Sequence, residues 1–186
     1  ASDEIATGEW PDVSSAAAPV VYVRPGGSGD GSIDRPFGTL ADALAATPRA
    51  ATIALSRGAH TLAATVEITR PVALLGVGAG ASVVEGPAGA SAVRVRSEGE
   101  AIAVSLAGLT VRAPAATGEF GVVGVEGAAR CTLRDVIVEG GADGLRAERG
   151  ATVCADGVSV RAAGRRGVAK GRSMDPSPEP PGRTYT

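Results

Sequence analysis

The 186-residue chain is long enough for one domain with its own core, and an apolar share of 44% supplies that core; with aromatics at 3%, Ala, Val, Leu and Ile must fill it. A net charge of −2 provides no global positive field for nucleic acid, and no run of about 18 apolar residues offers a membrane span. The 27 glycines follow no Gly-X-Y period, which excludes collagen, and two cysteines do not make a disulfide framework.

The chain opens Ala1-Ser2-Asp3, without methionine and without a charged-then-apolar leader, so it reads as a mature or trimmed fragment. Heavy use of Ala, Gly and Arg, with Lys170 the only lysine, points to a GC-rich bacterial genome. Residues 1–19 lack periodicity and read as a spacer. A β-branched run at 20–23 then leads into a Gly-rich loop over 26–32. Asp30 and Asp34 in this region offer oxygens to calcium, but a calcium site needs about six or more, so a turn is the reading and no cofactor is expected. Thr39 is placed to N-cap a short helix whose Leu40, Ala43 and Leu44 share one face.

Strand candidates follow at 52–55, 66–68, 72–75, 82–85, 92–95 and 101–104. His60, the only histidine, has no second ligand nearby for zinc and reads as a turn residue entering a strand. Gly76-Val-Gly-Ala-Gly80 imitates a dinucleotide fingerprint, but strand-like 82–85 follows where a helix is required.

From about residue 109 the chain repeats. Gly121, Gly144 and Gly167 each open a short alternating segment, 23 residues apart. A second series, 109–111, 136–138 and 158–160, is spaced by 27 and then 22. Repeats this short leave no room for a strand–helix–strand unit. They fit a coil of three short strands stacked on its neighbours, about five coils in all. Alternation then points Val122, Leu145 and Val168 inward as one row and Val111, Val138 and Val160 as another. Arg112, Glu139 and Arg161 fall outside as a charge ladder. The same alternation puts Cys131 inside and Cys154 outside, which predicts no disulfide. Val123 and Val125, joined by Ile137, become an outer apolar patch for a partner. Lys170 falls in line with Gly124 and Ala147 on an inward row and marks the end of the stack.

The stretch Val21-Tyr-Val-Arg-Pro-Gly-Gly-Ser-Gly-Asp-Gly-Ser-Ile-Asp-Arg-Pro36-Phe-Gly-Thr-Leu40-Ala-Asp-Ala-Leu44 resembles the opening of pectin-lyase-like proteins. Residues 52–62 and 66–76 are similar to the first full coil of that superfamily, and the resemblance extends over about 20–172. It implies an all-β, right-handed, single-stranded parallel β-helix with an N-terminal capping helix. It also implies a secreted or cell-envelope protein, with residues 173–186, which hold four prolines, as a linker or tail.

That superfamily includes lyases and hydrolases, whose chemistry needs a base or clustered carboxylates. Here Asp135, Glu139, Asp143 and Asp156 fall on different faces and turns. The expected function is therefore a non-catalytic module that binds a polysaccharide or serves as a surface scaffold. The alternative is a polysaccharide lyase or glycoside hydrolase, or a fragment of one, acting on an acidic polysaccharide through Arg146, Arg165 and Lys170. The candidate anionic-glycan face is Arg146, Arg149, Arg161, Arg165, Arg166 and Lys170, because arginine suits bidentate carboxylate contacts. An adjacent domain or partner is expected at the open C-terminal end, where strand edges and core are uncovered.

Overall fold

The computed structural model describes residues 8–16, 19–114, 121–141, 143–161 and 166–170, the last as backbone. In chain order the elements are β1 (Val20–Val23), α1 (Leu40–Ala46), β2 (Ala51–Leu55), β3 (Gly58–Thr61), β4 (Val66–Ile68), β5 (Val72–Leu75) and β6 (Ser82–Glu85). They continue with β7 (Val93–Ala113), β8 (Gly121–Gly140), β9 (Asp143–Glu148), β10 (Thr152–Asp156), β11 (Ser159–Arg161) and β12 (Arg166–Lys170). The twelve strands form one sheet, and among the described residues every strand pairing is parallel. Among the described residues the fold is thus all-β apart from one seven-residue helix.

Side-chain alternation builds the core in rows across paired strands. Ile53, Leu74, Leu106 and Leu133 stand in register and all are fully buried. His60, Val84, Val111 and Val138 form a second row, which Val160 continues. Val66, Val93, Val123 and Leu145 form a third, with Ile68, Val95 and Val125 beside it. β7 and β8 supply all three rows because their extended runs are broken. β8 has left-handed φ values of 73° at Gly127 and 51° at Asp135. At Gly127 a Cβ would lie 1.9 Å from the Ser97 carbonyl oxygen, so only glycine fits.

The N-terminal signals act as their chemistry dictates. The Thr39 hydroxyl accepts from the Asp42 N–H at 3.0 Å, and Leu40, Ala43 and Leu44 are the buried face of α1. The Gly-rich loop seals the edge of β1. Tyr22 N–H donates to Gly31 O, Arg24 N–H to Phe37 O and Phe37 N–H to Tyr22 O, at 2.8–2.9 Å. Asp30 serves this loop as a turn residue, accepting from the Ser32 hydroxyl and N–H, which hold its carboxyl below the ordinary range. Residues 8–12 of the segment read as a spacer lie against the body: Arg57 N–H donates to Glu9 O at 2.9 Å and Trp10 packs edge-on against Tyr22.

The six strand candidates all fall on strands, the one at 92–95 starting one residue before β7, and Cys131 is buried while Cys154 is exposed, both free. Four expectations need correction. Leu145 and Val168 align with Val123, not Val122. The bends differ in length by one residue, so equivalent glycines slip while apolar parity is kept. The outer patch does not exist, because Val123 and Val125 are buried and Ile137 is half-buried. Lys170 aligns with Ala147 and Val125, whereas Gly124 lies on the outward row with Arg146. His60 is also not in a turn; it lies within β3 and is buried.

Candidate functional site

On the outer face of β4, β7, β8 and β9, side chains lie between the inward residues of the third row. One line of positions in register is Glu67, Arg94, Gly124 and Arg146; the next is Arg96, Glu126 and Glu148. Gly124 interrupts the first line, and a Cβ there would meet nothing within 4 Å. The missing side chain leaves an open notch of about 200 Å³, flanked by Arg94 and Arg146 and floored by Gly121 and Gly124, with Glu126 and Glu148 alongside. Gly121 contributes differently: a Cβ there would stand 2.7 Å from the Arg146 Cβ, so its absence lets Arg146 pack across it.

The notch is electrostatically mixed. Arg94 reaches Glu126 at 3.5 Å and Glu67 at 3.8 Å, distances longer than a hydrogen bond. Arg146 Nε donates to Glu148. An incoming carboxylate or sulfate would exchange with these partly exposed contacts, which are worth little individually.

The structure distributes the expected basic residues over several places. Arg146 lines the notch. Arg149 is exposed in the turn after β9 with φ 56°. Arg161 lies on another face, bound to Glu139 at 3.2 Å, and Arg112 bridges Glu139 at 2.9 Å and Glu85 at 3.3 Å. The expected Arg112–Glu139–Arg161 ladder is therefore present and starts one strand earlier, at Glu85. Arg166 and Lys170 are placed only by register, opposite Asp143 and Ala147, and Arg165 lies outside the described residues.

Arg94 is the notch residue that sequence reasoning missed. Its link to Arg146 runs through Gly124, and a register irregularity between Ser97 and Ile102 hides that link from any fixed spacing. Among the described residues no three His, Cys, Asp or Glu side chains converge to hold a metal ion, and no helix is long and apolar enough to cross a membrane. Asp135 sits at a bend, Glu139 in the charge ladder, and Asp143 and Asp156 on separate strands. The chain matches no family model, no curated protein and no solved structure.

Proposed function

We propose that the chain is a short right-handed parallel β-helix of the pectin-lyase-like kind. In this reading it is a secreted or cell-envelope module that binds an acidic polysaccharide without cleaving it. Support for the coil comes from the three buried rows and from left-handed residues aligned at one bend, Gly108, Asp135 and Gly157. The observation that carries the binding reading is the side-chain-free notch between Arg94 and Arg146. These positions are two strands apart, about 10 Å, which suits two anionic groups along one extended polymer. Guanidinium groups take carboxylates in bidentate fashion. The notch is shallow and lies on a pleated face, so it suits an extended chain better than a compact small molecule.

Equilibrium binding of a polyuronate and a neutral glucan tests this reading. The polyuronate binds the wild-type chain and the glucan does not. Gly124→Leu fills the notch without touching the core and weakens polyuronate binding about tenfold or more, as does Arg94→Gln, each removing charge-assisted contacts. Unchanged affinity in both variants refutes the notch as the site.

One observation favours a second reading, a polysaccharide lyase or glycoside hydrolase. Glu126 and Glu148 are direct cross-strand neighbours beside the notch. One strand spacing, about 4.8 Å, is close to the carboxyl separation of about 5–5.5 Å in retaining hydrolases. Against it, each carboxylate is already paired with an arginine, Glu126 with Arg94 and Glu148 with Arg146.

A further inference from the structure

The outer face over the first buried row, where Ile53, Leu74, Leu106 and Leu133 point inward, carries small side chains. Thr52, Ala73, Ser105 and Thr132 stand in register along it. They floor a trough of about 390 Å³ that Ser15 and Ala16 line at its β2 end. The floor spans three strand spacings, about 14 Å. The remaining lining is alanine, proline, valine and leucine, and among the described residues no charged side chain lines the trough.

Its β8 end is different. Alternation about buried Cys131 and Leu133 turns Arg130, Thr132 and Arg134 outward together. The two arginines flank Thr132, each about 7 Å from it along the strand. Both are exposed, and among the described residues neither has an ion pair or a side-chain hydrogen bond. The outward Arg94, Arg112, Arg146 and Arg161 are by contrast each bound to a glutamate. Arg130 and Arg134 stand beside Ala103 and Ala107 on β7, which offer no partner. Asp156 lies opposite Arg134 on β10 and makes no ion pair with it.

Two guanidinium edges and the Thr132 hydroxyl between them present about five donors. A carboxylate accepts about four hydrogen bonds, whereas the three terminal oxygens of a phosphate or sulfate monoester accept all five. We infer that this trough binds a soluble, elongated phosphate or sulfate monoester. Its oxyanion sits between Arg130 and Arg134, and its uncharged, mainly apolar body lies over Ser105 and Ala73. Charge at one end and its absence along the floor set this polarity, and they disfavour a polyanion laid along the trough. The site is on a different face from the Arg94–Arg146 notch and does not depend on glycan binding there.

Cys154 reports on occupancy, because it is exposed and in register with Thr132 on the neighbouring strand. Octyl phosphate and octyl sulfate, below their micellar concentrations, are titrated into the full chain beside octyl glucoside and inorganic phosphate. Both monoesters should bind and slow iodoacetamide modification of Cys154 several-fold; octyl glucoside should do neither, and inorganic phosphate should bind more weakly than either monoester. Arg130→Gln and Arg134→Gln should each weaken the monoesters about tenfold, the scale of a lost charge-assisted contact. Ala73→Leu, which fills the floor, should weaken octyl phosphate and leave inorganic phosphate unchanged, and Arg94→Gln should alter neither. Urea midpoints close to wild type in these variants separate lost binding from lost folding. Equal affinity for octyl glucoside or inorganic phosphate, unaltered affinity in both arginine variants, or an unprotected Cys154 at saturating monoester would overturn the proposal. Binding to phosphatidate vesicles without binding of octyl phosphate would also overturn it, and would reassign the arginines to a membrane surface.

Discussion

Truncating the same leucine at two places in one row gives unequal losses. Leu106 and Leu133 are both fully buried and neighbours in register. Leu106 lies between Leu74 and Leu133, both fully buried, so its neighbours on either side are fixed. Leu133 has Leu106 on one side and exposed Ala155 on the other. Leucine-to-alanine changes in cores cost about 2–5 kcal/mol, the larger values where the site cannot collapse. Leu106→Ala should therefore lie near the upper part of that range, and Leu133→Ala about 1 kcal/mol or more below it, because the end strand relaxes into the gap. For a chain of this length each kcal/mol lowers Tm by about 2–4 °C. Urea titrations of both variants, compared at constant m, measure the difference. Equal losses, or a larger loss for Leu133→Ala, would refute the assignment of interior and end positions in this row.

Three further outcomes follow from particular groups. Burial holds the His60 imidazole below its ordinary 6.5, only partly opposed by its contact with the Ser56 carbonyl at 2.9 Å. The stability difference between wild type and His60→Gln should therefore be constant above pH 6.5. Below it the wild type should lose ground, first as the unfolded chain takes up the proton and until the folded-state value is passed; a pH-independent difference from 8 to 5 contradicts this. Burial pushes the Cys131 thiol up to about 12, while Cys154 is exposed. A thiol reagent should modify one cysteine in the native chain, Cys154, and two in denaturant; rapid native modification of both would be inconsistent with this core. Gly124→Ala should be neutral or stabilising by up to about 1 kcal/mol, since its position is open and its φ ordinary. Gly127→Ala, with φ 73° and no room beside the Ser97 carbonyl, should cost more than about 1 kcal/mol, read from denaturation midpoints.

Much of this was legible where the signal is local or depends on parity. Thr39 and the spacing of Leu40, Ala43 and Leu44 specify α1, because N-capping and helical period involve only neighbouring residues. The two-residue period placed Cys131 inside and Cys154 outside, and aligned Arg112, Glu139 and Arg161. Glycine was the poor guide. It marks bends, and bends change length, so matching Gly121 with Gly144 shifted Val122 into the place of Val123 and hid the outward position of Gly124. β3 escaped because Gly58-Ala-His-Thr61 carries weak strand propensity; its strand state comes from pairing with β6. Arg94 escaped because its neighbours on the sheet are distant in sequence, and only the observed register brings it beside Gly124 and Arg146.

Depolymerisation and binding measured together on one acidic polysaccharide separate the two functional readings most directly. The wild-type chain, incubated with a polyuronate with and without calcium, is followed by product mass and by equilibrium binding. Retention of the intact polymer, reduced by Gly124→Leu and with no oligosaccharide released, is the expected result. Defined oligosaccharide products that disappear in Glu126→Gln or Glu148→Gln would contradict it and make the notch a hydrolytic site.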